Sequence, residues 1–427
     1  MSAGTVFALA SGAGRAAIAV LRISGPDSEA VLTALCGSLP PPRRAVVRAL
    51  RDAGGELLDR AMVLWIPGPG SYTGEDSAEL HLHAGRAVID AVATTLANVG
   101  LQPAEPGEFT RRAFLNGKLD LVSAEAVHDL VAAETDAQRR QALRQLEGAL
   151  GDLYRDWSDR LRIALARQEA LIDFPDEDLP PEVEADLLAS VRSLRAEIEG
   201  HLDDNQRGER LREGLFFAIT GAPNVGKSSL INALTERDVA IVSPTPGTTR
   251  DTIETRVVLG DVPVTLVDTA GLRESADPIE AEGVRRARAR ASSADFVITV
   301  IEAGSAFDPA VGGLVVANKI DLCPEQRPYV LPVSALTGAG LSDLRARLSA
   351  QAIALTQSSG PPPLTRARHR TALREAARWL ADAEDAIEPE LRGEAMRLAL
   401  RALGTITGQV GVEQILDSIF RQFCIGK

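Results

Sequence analysis

Gly221-Ala222-Pro223-Asn224-Val225-Gly226-Lys227-Ser228-Ser229 follows an unbroken apolar run at 215–219. A buried strand, then Gly-x-x-x-x-Gly-Lys-Ser, then a helix is the order of a phosphate-binding loop in a nucleotide hydrolase. Gly221 and Gly226 lack a Cβ, so the backbone can curl and aim its N–H groups at phosphate oxygens. Lys227 supplies a point charge for the outer phosphates. The Ser228 hydroxyl is placed to ligate Mg²⁺. A chance glycine turn would not bring strand, loop and helix together in this order.

The base is legible as well. Asn318-Lys319-Ile320-Asp321 follows a second apolar run at 314–317. A carboxylate such as Asp321 accepts two hydrogen bonds, and guanine offers a matching pair of donors where adenine does not. Adenine would leave a buried carboxylate unpaired, which is costly. Ser334-Ala335-Leu336, after a strand-like run at 329–333, fits a third loop around the base. Either motif alone could be an ordinary turn at a strand end. Behind the phosphate loop, in this order, they specify GTP.

Two switch elements lie between. Asp268-Thr269-Ala270-Gly271 ends a strand at 264–267. Asp268 can hold Mg²⁺ through water, and the Gly271 N–H can reach the γ-phosphate. Gly247-Thr248-Thr249-Arg250-Asp251 precedes it, and one of its threonines is expected to complete the Mg²⁺ shell, with Thr249 the assigned ligand. Many GTPases carry a water-orienting Gln just after the Asp-Thr-Ala-Gly turn. Leu272 stands there and cannot orient a water.

The chain has 427 residues, 45% apolar and 25% charged, the composition of a globular protein with room for two or three domains. Three cysteines (Cys36, Cys323 and Cys424) make no disulfide framework. No apolar run reaches bilayer length, and Met1-Ser2-Ala3-Gly4 does not open a signal peptide, so a cytoplasmic protein without membrane contact is expected. Against 59 acidic residues stand 46 basic ones, a net charge of −13, which argues against indiscriminate nucleic-acid binding. Arginines at 139, 140 and 144, at 285–290, and Arg366, Arg368, His369 and Arg370 read as solvated helical faces.

Residues 1–117 alternate strand-like runs (5–9, 17–23, 61–66) with turns and a helix at 87–99, an α+β domain. Leu143, Leu146, Leu150, Leu153, Trp157, Leu161 and Leu165 then recur on one helical face, and a further helix spans 182–202. After the Ser-Ser-Gly-Pro-Pro-Pro linker, periodicity resumes through Leu373, Leu380 and Leu398. The expected division is 1–117, then a helical bundle of 118–210 with 358–427, interrupted by an inserted α/β Ras-like P-loop GTPase domain at 211–357. Segment 302–313 is short and poor in helix patterning, so a helix that normally covers the sheet is expected to be curtailed.

Beyond the nucleotide motifs, Leu21-Arg22-Ile23-Ser24-Gly25, Tyr72-Thr73-Gly74-Glu75-Asp76, Pro106-Gly107-Glu108-Phe109-Thr110, Leu115-Asn116-Gly117-Lys118-Leu119-Asp120-Leu121, Ile172-Asp173-Phe174-Pro175-Asp176 and the terminal Phe423-Cys424-Ile425-Gly426-Lys427 resemble the bacterial MnmE (TrmE) tRNA-modification GTPases along the whole chain. The resemblance implies a homodimer that joins an FAD-dependent MnmG (GidA) partner in a heterotetramer. Together they place a carboxymethylaminomethyl or aminomethyl group on the wobble uridine of certain tRNAs. It implies an N-terminal domain that binds 5-formyltetrahydrofolate and dimerises, with Arg22, Glu79, Lys118 and Lys427 as folate contacts. Cys424 is a reactive thiol in that picture and a passive apolar residue otherwise. The resemblance also gives Glu280 the role of activating water, with Glu274 and Glu282 as local competitors. It puts K⁺ on Asn224, Ser243, Thr245 and Thr248 where an arginine finger would act, a site assembled as two GTPase domains meet. His81 and His83 share a strand face and, with no third ligand in evidence, read as structural or pterin-adjacent. Two other functions fit parts of the chain. A GTP-switched ribosome-assembly factor would leave the N-terminal set unexplained. A folate-binding scaffold gating a partner enzyme would use the same residues.

Overall fold

A computed structural model describes residues 4–12, 14–173, 181–235, 254–268, 294–306, 313–325, 327–357, 360–410 and 413–426. The chain forms two compact units. The first comprises Met1–His128, Leu146–Ile163 and Arg397–Lys427; the second comprises Asp129–Gln145 and Ala164–Met396.

In the first unit, β1 (Val6–Leu9), β2 (Ile18–Ser24), β3 (Val46–Arg51), β4 (Leu57–Ile66), β5 (Ser77–His83) and β6 (Gln102–Pro103) build one sheet in the order β3-β4-β5-β2-β1-β6. Period-two alternation decides its faces. Leu21, Ile23, Val63, Trp65, Ala78, Leu80 and Leu82 point to one side, where they form a core with Val31, Leu32 and Leu35 of α1 (Ser28–Cys36) and Val92 and Leu96 of α2 (Arg86–Asn98). Arg22, Glu79 and His81 alternate with them and so occupy the opposite face. Helices α3 (Glu108–Leu115) and α4 (Leu121–Ala132) follow.

The leucine run expected as one helix is two. Helix α5 (Asp136–Leu146) ends before Gly148, whose φ of 98° a helix interior does not adopt, and α6 (Ala149–Asp173) begins after it. Leu150, Tyr154, Trp157 and Leu161 of α6 are buried. On α5 the buried positions are instead Gln138, Gln141, Ala142 and Gln145. Leu143 and Leu146 are only half-buried.

The second unit also holds α7 (Pro181–Leu202), α8 (Arg207–Glu213) and the second sheet. Strands β7 (Leu215–Thr220), β8 (Glu254–Leu259), β9 (Val262–Asp268), β10 (Phe296–Glu302), β11 (Leu314–Asn318) and β12 (Val330–Pro332) run in the order β12-β11-β10-β7-β9-β8. All neighbours are parallel except the β8–β9 hairpin. Helices α9 (Lys227–Thr235) and α10 (Leu341–Thr356) bury Leu230, Ile231, Leu344 and Leu348 against Phe217, Ile219, Val300 and Val316. This is a doubly wound sheet with the phosphate loop after its central strand. Between β10 and β11, residues 303–306 and 313 are not helical, and 307–312 lie outside the described residues.

Helix α11 (Ala367–Asp385) packs on α7, joining chain from before and after the nucleotide motifs; α12 (Pro389–Thr407) follows. In the first unit, Leu416, Ile419 and Phe420 of α13 (Glu413–Phe420) form a core with Leu121 and Ala124 of α4.

The 366–370 arginines are not a solvated face. Arg366 and Arg370 are buried, and each engages carboxylates. Arg370 meets Asp204 at 2.6 Å and Glu209 at 3.4 Å. Asp129 accepts from Arg366 at 2.6 Å and from Arg212 at 3.2 Å. A cation this buried persists only when paired, and here the pairs tie together the strands of chain that enter and leave the nucleotide fold. The Asp129→Ala chain is expected to lose about 3 kcal/mol of stability, since it removes a carboxylate shared by two guanidinium groups. Urea unfolding of the full chain measures this, and a midpoint equal to that of the native chain would contradict it.

Candidate functional site

The nucleotide site forms at the C-terminal edge of the second sheet, where a doubly wound fold leaves its loops free to hold ligand. Gly221 has φ 142° and Gly226 φ 94°. A Cβ on Gly221 would run into the Val300 carbonyl, and one on Gly226 into the Asn318 side-chain amide. The loop therefore needs both glycines for close approach, not only for turning. Asn224 adopts φ 66°, a left-handed conformation that asparagine tolerates better than most residues. Helix α9 starts at Lys227, so its free N–H groups and dipole face the loop's concavity, an anion site by construction.

Lys227 is buried, and its ammonium donates to the carbonyls of Gly221 at 2.9 Å and Ala222 at 2.8 Å. Ser228 Oγ donates to Asp268 Oδ2 at 2.8 Å. These two hard oxygens, brought together at the helix start, suit Mg²⁺ and its bound water. Asn318 bridges three loops: its Nδ2 donates to Val225 O at 2.9 Å, and its Oδ1 accepts from Ala335 N at 3.0 Å. Ser334 Oγ donates to Asp321 Oδ1 and accepts from Thr337 N at 3.1 Å, which orients the Asp321 carboxylate. Lys319 sits at φ 68°, and its ammonium meets Glu302 at 3.0 Å. Leu336 is exposed at the loop tip.

The structure thus gathers Asn224, Val225, Gly226, Lys227, Ser228, Asp268, Asn318, Lys319, Asp321, Ser334 and Ala335 around one edge. Ser243, Thr245, Gly247, Thr248, Thr249, Thr269, Ala270, Gly271 and Glu280 lie outside the described residues.

A second cluster lies on the face of the first sheet opposite α1 and α2. Arg22 donates to Glu79 Oε1 from Nε at 3.1 Å and Nη2 at 2.9 Å. The two expected folate contacts therefore engage each other across paired strands. The Arg22 guanidinium lies 5.5 Å from the ring centroids of both Tyr72 and Phe109, an aromatic frame that holds the cation in place. Burial raises the Tyr72 phenol pKa, and its oxygen meets Thr110 Oγ1 at 2.9 Å. Lys118 Nζ donates to Pro69 O at 3.0 Å. The chain's tail returns to this module: Gly426 lies so close to β1 that a Cβ would strike the Leu9 carbonyl. Lys427 is outside the described residues, and Cys424 is exposed.

His81 and His83 do share a strand face. His81 Nε2 lies 3.4 Å from Glu79, and His83 Nδ1 lies 2.8 Å from Asp59. Burial alone would raise the Asp59 carboxyl, but hydrogen bonds from His83 and the Arg60 N–H lower it overall. Among the described residues, no three His, Cys, Asp or Glu side chains cluster as a metal site.

Sequence reasoning missed the buried α5 glutamines. Gln138 Nε2 donates to the carbonyls of Leu211 and Arg212, Gln141 Nε2 to Gly208, and Gln145 Nε2 to Thr365 Oγ1. One signal was present: Thr135-x-x-Gln138 is a capping box.

Two family descriptions match the chain: "GTP-binding protein TrmE N-terminus" over residues 5–118 and "MnmE helical domain" over residues 121–424. The tRNA modification GTPase MnmE of Gluconacetobacter diazotrophicus is 60% identical over 99% of this chain and 98% of its own. The protein of the same name from Granulibacter bethesdensis is 57% identical over the full length of both chains. Among solved structures, the FeoB G-domain from Methanococcus jannaschii aligns at 23% identity over 32% of this chain and 97% of its own, at a TM-score of 0.23.

Replacing Asp321 with Asn removes the double acceptor for guanine. GTP affinity is expected to fall on the order of 100-fold. Xanthosine triphosphate, with a carbonyl in place of the exocyclic amine, should bind better than GTP. Titration with fluorescent nucleotides measures both; retained guanine preference would contradict the assignment.

Proposed function

The chain belongs to the tRNA modification GTPase MnmE family, and we propose that its GTP hydrolysis drives a carbon transfer to the wobble uridine of certain tRNAs. In this reading an FAD-dependent MnmG (GidA) partner completes the enzyme in a heterotetramer. The product is a 5-carboxymethylaminomethyl or aminomethyl group. The observation that carries the reading is the presence on one chain of a guanine-nucleotide frame built by Asn318 and an Arg22–Tyr72–Phe109 cluster to which the chain's tail returns.

Each site has a division of labour. The α9 N-terminus and Lys227 neutralise the β- and γ-phosphates, and Asp321 selects guanine. Ser228 and Thr249 would hold Mg²⁺, with Asp268 behind them through water. When bound, the ion would supply neutralisation of the phosphate charge. With Leu272 at the usual glutamine position, Glu280 orients the attacking water, and Glu274 and Glu282 are the alternatives. Asn224, Ser243, Thr245 and Thr248 would hold K⁺, a fixed cation in place of an arginine finger, when two GTPase domains meet. The Arg22 guanidinium and Lys118 suit the anionic tail of a formylated folate, the partly exposed Tyr72 suits its ring, and Lys427 would close the site.

A homodimer fits the open face of the first sheet. Val47, Ile18 and Met62 are 69%, 57% and 36% exposed there, on the side away from α1 and α2. Apolar side chains gathered on one open face favour association. A cytoplasmic placement goes with tRNA as substrate, and no described helix is long and apolar enough to cross a membrane.

The test is reconstitution of wobble-uridine modification with MnmG, tRNA, formylated folate and GTP, read by nucleoside mass spectrometry. Product that requires the chain and GTP is expected, and product formed equally without GTP would contradict the reading. In the same preparation, turnover should be fast in K⁺ and weak in Na⁺; equal rates would remove the K⁺ site. Glu280→Ala should keep GTP affinity and lose turnover by about 10²-fold or more. An unchanged rate would pass the role to a neighbour.

A further inference from the structure

The β8–β9 hairpin links the two switch motifs of the sequence. Strand β8 opens at Glu254, just after Gly247–Asp251, and β9 closes at Asp268, the first residue of Asp-Thr-Ala-Gly. Its ladder is continuous from the Glu254↔Val267 pair to Leu259↔Val262. Gly260 and Asp261 make the turn, with φ 61° and 66°. Two left-handed residues between antiparallel strands form a tight turn that extends the strands' twist, so the hairpin moves as one stiff ribbon about 20 Å long.

The far end of that ribbon is fastened to α5. Asp261 Oδ1 accepts the backbone N–H of Asp136, the first residue of the helix, at 3.0 Å. Asp261 Oδ2 accepts from Arg140 Nη2 at 3.0 Å. Arg256 on β8 pairs with Glu134, just before the helix, at 3.0 Å. A reciprocal box at the same end satisfies three further N–H groups. Thr135 Oγ1 accepts from Gln138 N at 3.3 Å, and Gln138 Oε1 accepts from Glu134 N at 2.9 Å and Thr135 N at 3.3 Å. The same Gln138 amide donates to the carbonyls closing α8, where the chain enters the nucleotide fold.

We propose that this turn passes the nucleotide state to the helical part of the protein, with Asp261 as a positioning residue that caps α5 from the GTPase sheet. The proposal rests on the GTPase reading above. At the end of the ribbon away from the turn, β9 closes on Asp268 of the Asp-Thr-Ala-Gly motif, which accepts from Ser228 of the phosphate loop at 2.8 Å, and β8 opens three residues after Asp251 in the sequence. A stiff ribbon displaced at that end must shift at its turn. The contacts at the turn are partly exposed ion pairs and one cap, individually weak, so they can be remade when the ribbon moves. Losing the Asp261 carboxylate frees an N–H of the first helical turn and loosens α5, the helix whose glutamines hold both chain crossings.

Hydrogen–deuterium exchange on the full chain, loaded with GDP or with a non-hydrolysable GTP analogue, tests this. In the native chain, amides in the first turn of α5 are expected to exchange at rates differing at least about threefold between the two states. Asp261→Gly, which keeps the left-handed turn and removes the acceptor, and Glu134→Arg should each abolish that difference while nucleotide affinity stays within about twofold. Glu134→Arg combined with Arg256→Glu should restore it. Equal α5 exchange in both nucleotide states of the native chain would overturn the proposal, as would single variants that keep the native difference. Failure of the native chain to bind either nucleotide would instead sink the GTPase reading and the relay with it.

Discussion

One side chain holds the nucleotide site together. Asn318, at the end of β11, donates to the phosphate loop through Val225 O and accepts from the base-side loop through Ala335 N. The phosphate loop and the loop that opens at Ser334 are thus fixed to each other by a buried amide rather than left to move independently. This arrangement needs the backbone at Gly226 to pass directly beneath that amide, which leaves no room for a Cβ. It also needs β10 and β11 in parallel register, so that Asn318 emerges beside the end of β10 and its neighbour Lys319 meets Glu302. A buried polar network of this kind is rigid only when every member is satisfied, and here the amide uses both its oxygen and its nitrogen.

A fold inserted into a helical chain has a second constraint: the points where the chain enters and leaves must be held close. Here polar groups do this. Gln138 and Gln141 hold the inbound chain at Leu211, Arg212 and Gly208, Gln145 holds the outbound chain at Thr365, and Asp129 clamps Arg212 and Arg366 together. Glutamine can donate to a backbone carbonyl without sealing the joint as an apolar core would. The joint therefore has a geometry defined by directional bonds, and a buried partner left unpaired there would be costly.

The sequence was most legible where a short motif has only one physical use. The phosphate loop, Asn318–Asp321 and Ser334–Ala335 each require a strand before them and a particular donor or acceptor, and the structure places them on one edge. The N-terminal motifs were legible through family resemblance, while their geometry was not: Arg22 and Glu79 read as separate ligand contacts, yet paired strands bring them into mutual hydrogen bonds. Helical periodicity misled at α5. Leucines at 143 and 146 continue the spacing of α6, so the break at Gly148 and the buried glutamines at 138, 141 and 145 were overlooked. Arg366 and Arg370 were misread for the same reason. Charge suggests exposure until the acidic partners, here Asp129, Asp204 and Glu209, are known to come from distant parts of the chain.

The central claim is that binding and turnover of the nucleotide by this chain are required for tRNA modification, not merely present beside it. The most direct measurement is the amount of modified wobble uridine, by mass spectrometry, in tRNA from cells lacking this gene that carry either the native chain or Lys227→Ala. The native chain should restore the modification and Lys227→Ala should not, although both are present at equal level. Full restoration by Lys227→Ala would contradict the account.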